Sequence, residues 1–68
     1  MSMKIHVNGE VREVREGATV LALVQELGFD PKVMVAQRND AIIGRDAFGD
    51  TALSEGDRLE LLRLVGGG

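Results

Sequence analysis

One stretch of this chain carries a helical period, and it limits what the rest can become. In "EGATVLALVQELGFDP", Val20, Leu23, Val24 and Leu27 recur at the i, i+3, i+4 and i+7 positions of a single stripe. Thr19 stands where an N-cap belongs, and Gly17 before it reads as a turn. Gly28 fits the first position past the helix, Phe29 is the hydrophobic residue after it, and Pro31 blocks continuation. The spacing predicts a helix over 20–27. The sequence on either side reads as extended, so the apolar stripe is expected to lie across a sheet.

The extended character is clearest before the helix. "MKIHVNGEVREVR" alternates Met3, Ile5 and Val7 with Lys4, His6 and Asn8, reaches Asn8-Gly9, and then becomes extended again. Asn-Gly between alternating runs is the strongest short hairpin signal, because a tight turn that matches strand twist needs positive φ at both central residues. A two-residue loop there sets Met3 opposite Val14 and Ile5 opposite Arg12, and turns Val11 to the other face. After the helix, "KVMVAQRNDAIIGRD" predicts two short extended pieces, 33–38 and 41–45, around the turn-prone pair Asn39-Asp40. "AFGDTALSEGDRL" holds too many turn formers for long regular structure, with Ser54 to Asp57 as a tight turn into a last strand over 58–65. The order β-β-α-β-β-β predicts an α+β fold: a mixed sheet of four to five strands with one main helix across one face.

At 68 residues the chain supports one domain, since a chain this short buries only about 60% of the surface it exposes when unfolded. It is expected to comprise a globular unit over 1–65 and a flexible glycine tail over 66–68. There is no cysteine, hence no disulfide, no Cys-bound zinc and no thiol nucleophile, and the core must be aliphatic with only Phe29 and Phe48 as aromatic residues. No apolar run approaches the roughly 20 residues that span a bilayer. A cytoplasmic protein with no membrane partner is the expectation. The formal charge is −3, with basic residues scattered from Lys4 to Arg63, which argues against a nucleic-acid partner because phosphate binding needs concentrated positive charge.

Candidate chemistry is sparse in the body of the chain. His6 falls on the polar face of its strand and reads as solvated. Asp46, Asp50, Glu55 and Asp57 read as turn formers and a solvated face rather than a metal site. There is no phosphate-binding glycine loop and no nucleophile–base pair. What remains is the end, "RLELLRLVGGG". A glycine α-carboxylate has a pKa of about 3.3–3.7 and is an anion at neutral pH. Glycines without Cβ atoms can thread a channel closed to other residues, bringing that carboxylate to a buried reactive centre. In the last strand Leu59 and Leu61 are expected to face the helix, with Leu62 and Leu64 on the uncovered side of the sheet beside the tail, where exposed apolar surface marks an interface. The alternative for Leu62 is a place at the core's edge through a bulge.

Taken together, "KIHVNGE", "EGATVLALVQELG", "RNDAIIGRD" and "EGDRLELLRLVGGG", in this order and at this length, resemble the thiamine-biosynthesis sulfur-carrier family, ThiS, within the ubiquitin-like β-grasp fold. One departure is Gly44 before Arg45, where relatives often carry proline. The resemblance implies a protein cosubstrate rather than an enzyme. A ThiF-type adenylating enzyme activates the carboxylate of Gly68 with ATP and Mg²⁺ that it binds itself. A sulfur donor protein then displaces AMP, and the thiocarboxylate supplies sulfur to a ThiG-type thiazole synthase. On this reading Gly67 and Gly66 thread the tail, Leu62 and Leu64 dock the adenylating enzyme with Arg63 adding a charge contact, and the carrier itself binds no cofactor and no metal. A molybdopterin-type (MoaD-like) or other sulfur carrier, and a ubiquitin-like binding module that never uses its carboxylate, are the alternatives.

Overall fold

The computed structural model describes residues 1–64. The opening alternation becomes β1 (Ser2–Val7) and β2 (Glu10–Arg15), paired antiparallel with Met3 opposite Val14 and Ile5 opposite Arg12, as the two-residue loop requires. Asn8 and Gly9 both take positive φ, 51° and 85°, which is the type I′ geometry. One hairpin face thus presents Met3, Ile5, Val7 and Val14 to the core, while Val11 is turned to solvent.

The helical stripe becomes α1 (Val20–Glu26). The Thr19 hydroxyl accepts the Ala22 N–H at 3.1 Å, satisfying a donor that the first turn leaves unpaired. At the other end the Phe29 N–H donates to the Val24 oxygen and the Gly28 N–H to the Gln25 oxygen, with Gly28 at φ 83°. This paired closure needs a left-handed residue where glycine stands, and it ends the helix before Pro31 is reached. Val20, Leu23 and Val24 are buried and Leu27 half-buried.

After a 3-10 turn over Pro31–Val33, the chain forms β3 (Met34–Arg38) and β4 (Ala41–Ile43) around Asn39-Asp40, again with two positive φ values. Both strands are shorter than the sequence suggests, because Val33 belongs to the 3-10 turn and Gly44 leads into a second one over Arg45–Asp50. That second turn is the regular structure found in the stretch expected to lack long elements, and it seats Phe48, 1% exposed, under the helix. A turn at Glu55-Gly56 feeds β5 (Arg58–Arg63).

The five strands lie in the order β2-β1-β5-β3-β4. The first and last strands are therefore central neighbours, parallel to each other, while all other pairings are antiparallel. One face carries α1 and the aliphatic core of Ile5, Val7, Ala36, Leu59, Leu61 and their neighbours. The other has no element packed across it among the described residues. Each large aliphatic side chain in the core contributes about 1.5–3 kcal/mol.

Candidate functional site

Strand β5 is where sequence and geometry converge, since it precedes Gly66-Gly67-Gly68. Its period of two sends Leu59 and Leu61 into the core, 1% and 5% exposed, and leaves Leu62 57% and Leu64 53% exposed on the open side. The bulge that would have taken Leu62 into the core is absent from the register, which pairs Val35 with Leu62 and Ala36 with Leu61 without a slip. Arg63 does not join them. Its partner across the strands is the buried Met34, so its side chain lies on the helix side, bordering a groove with Gly28, Phe29 and Met34. The residues expected to dock a partner thus divide between two faces. Gly66, Gly67 and Gly68 lie outside the described residues.

Two neighbours of Leu62 escaped the sequence reading. Val35 sits directly opposite it, and Ile42, 71% exposed, lies one strand further out opposite Gln37, diagonal to Val35. Leu62, Val35 and Ile42 form a diagonal apolar strip across β5, β3 and β4 on the open face, bordered by Gln37 and Glu60. The signal was present in the sequence: once Ala36 and Ile43 are assigned inward, alternation turns Val35 and Ile42 outward. On the β1–β2 side the same face carries Lys4, His6, Glu13 and Arg15, with Val11 as its single large apolar side chain.

Asparagines from the two hairpin turns hold β5 from opposite sides. The Asn39 carboxamide oxygen accepts the Arg58 N–H at 3.0 Å, and its Nδ2 donates to the Asp57 carboxylate at 3.3 Å. The Asn8 carboxamide bonds the backbone of Leu61 twice, accepting its N–H at 2.9 Å and donating to its oxygen at 3.2 Å. Asp57 departs from the expected solvated face: it is 7% exposed. Its carboxylate accepts the Ser54 N–H at 2.8 Å and lies 3.8 Å from Arg38, so the turn before β5 is tied to β3. Burial of this acid is tolerated because its oxygens are hydrogen-bonded. Among the described residues no group of three or more acids or histidines could hold a metal.

A five-strand mixed sheet crossed by a single helix, with the last strand at its centre, defines a ubiquitin-like β-grasp domain. Within that class the chain belongs to the ThiS family, whose pattern residues 5–68 match. It superimposes on the crystal structure of the thiamine biosynthesis protein ThiS from Geobacter metallireducens with a TM-score of 0.83 and 30% identity, covering 97% of this chain and 100% of that one. The sulfur carrier protein ThiS of Bacillus subtilis is 28% identical over 65 residues, 94% of this chain and 98% of that protein. A thiazole synthase of Magnetococcus marinus is 39% identical over 66 residues. This match takes in 97% of the chain but only 20% of the synthase, so the chain spans about a fifth of that protein's length. No helix among the described residues is long and apolar enough to cross a membrane.

Proposed function

We propose that this chain is a sulfur carrier for the thiazole ring of thiamine, a cosubstrate and not a catalyst. The observation that carries the reading is the match over nearly its whole length to carriers of the same size, with a β-grasp body whose central strand runs toward Gly66-Gly67-Gly68. With Gly68 terminal, its carboxylate attacks the α-phosphate of ATP on a ThiF-type adenylating enzyme, releasing pyrophosphate and leaving an acyl adenylate. Sulfur from a donor protein displaces AMP to give a thiocarboxylate, which passes its sulfur to the acceptor on a ThiG-type thiazole synthase. ATP and Mg²⁺ belong to the adenylating enzyme. The carrier contributes a carboxylate on a residue without side chain, Gly67 and Gly66 narrow enough to thread toward the reacting phosphate, and an apolar surface at Leu62 and Leu64 for docking.

Similarity to a thiazole synthase favours this pathway over a molybdopterin-type carrier. The test is intact mass after incubation with ATP, a sulfide source and the host's adenylating enzyme, with the change localised by fragmentation because methionine oxidation adds nearly the same nominal mass. Sulfur on Gly68 is the expected result. An unmodified tail, with the enzyme shown active on a known carrier, overturns the reading in favour of a binding module that works through its sheet. Gly67→Ala is expected to fold normally and slow adenylation; normal adenylation would count against threading.

A further inference from the structure

We infer that Asn8 is a positioning residue for adenylation of the tail, acting through Leu61 on the strand that leads to it; the inference rests on the sulfur-carrier reading. The parallel ladder between β1 and β5 starts with the His6 N–H on the Asp57 oxygen and reaches the Asn8 N–H on the Leu59 oxygen. There the β1 backbone turns away at Asn8-Gly9. Leu61 is the next residue whose N–H and C=O face β1, and no backbone remains to meet them. The Asn8 side chain supplies both missing groups, its carboxamide standing in for a peptide unit at 2.9 and 3.2 Å.

The consequence falls on the last part of β5. Leu62 and Leu64 project from the open face immediately after this contact, and on the β3 side the Leu64 N–H donates to the Val33 oxygen at 2.7 Å. Asn8 is thus the restraint on the β1 side of the segment that presents the docking leucines. Asn39 is its counterpart at the other end of β5, bonded to Arg58 N–H and Asp57, away from those leucines. Both asparagines occupy the first position of a tight turn at nearly the same φ, 51° and 50°, so glycine preserves either turn while removing only the side-chain bonds.

This symmetry makes the test. Pyrophosphate release by the host's adenylating enzyme is measured with the wild-type carrier, Asn8→Gly and Asn39→Gly, alongside thermal unfolding and amide hydrogen exchange. Both variants are expected to lose stability by similar amounts. Asn8→Gly alone is expected to speed exchange at Leu61 and to raise the KM for carrier by roughly fivefold, about the net size of one lost hydrogen bond, with kcat little changed. Asn8→Asp, which cannot donate to the Leu61 oxygen, should raise KM in the same direction. Equal KM values for the Asn8 and Asn39 variants would overturn the positioning role, reducing Asn8 to a structural contact. Unchanged exchange at Leu61 in Asn8→Gly would overturn the clasp itself. Failure of the wild-type carrier to support pyrophosphate release would instead remove the sulfur-carrier reading and the positioning role with it.

Discussion

The sheet has two free edges, and they are finished differently. β2 runs Glu10-Val11-Arg12-Glu13-Val14-Arg15, charged at four of six positions, and any strand approaching it must desolvate or match those charges. β4 is Ala41-Ile42-Ile43, uncharged, and is guarded against edge pairing only by being three residues long. The contrast extends inward over the open face. Beside β2 the surface is Lys4, His6, Glu13 and Arg15 around Val11; beside β4 it is Ile42, Val35 and Leu62 with Gln37 and Glu60 among them. One half of the face is mainly charged, and the other carries exposed apolar side chains of the kind that mark an interface.

The largest expected effect tests the support that both halves share. Leu59→Ala empties a position 1% exposed in the central strand and should lower stability by about 2–5 kcal/mol in urea titration. A loss well under 1 kcal/mol would mean that the two halves do not depend on a common strand. Next comes Leu62→Glu, expected to weaken binding to the adenylating enzyme by about 2 kcal/mol, as for a buried anchor, while the melting temperature stays put. Calorimetry showing unchanged affinity would remove Leu62 from the interface. Ile42→Glu should cost about 1 kcal/mol in the same titration, and a null result there would end the apolar strip at Val35. Asp40→Gly, which relieves a non-glycine residue held at φ 73°, should raise stability by about 0.5 kcal/mol without changing affinity. Smallest is Arg15→Glu, expected to stay within about 0.5 kcal/mol in both measurements; a larger loss of affinity would show that the polar half also meets the partner.

What could be read from the sequence follows the range of the interactions involved. Thr19, the stripe from Val20 and the stop at Gly28 act within a few residues of one another, so the helix was legible almost to its ends. Asn8-Gly9 fixed the register of the first hairpin for the same reason. The parallel pairing of β1 with β5 was not legible, because it joins segments 51 to 53 residues apart and no local pattern encodes which strands become neighbours. Burial of Asp57 depends on Arg38 and Asn39 arriving from another strand pair, so only its role as a turn former showed. In the candidate site, Leu62 and Leu64 followed from alternation alone. Alternation also places Arg63 with Leu61 on the helix side, and Val35 and Ile42 on the open one, once the inward residues of β3 and β4 are known.

The central position of β5 also bears on how the protein is made. A ribosome delivers β1, β2, α1, β3 and β4 before Arg58–Arg63, yet the two hairpins touch chiefly through that final strand. The long-range pairings that close the sheet, β1 with β5 and β3 with β5, therefore wait for β5 itself. Leu62 and Leu64 reach their places on the open face only when that closure is complete. On the proposed function, an adenylating enzyme that docks on them would inspect the chain as it binds, since half-folded copies offer no assembled surface.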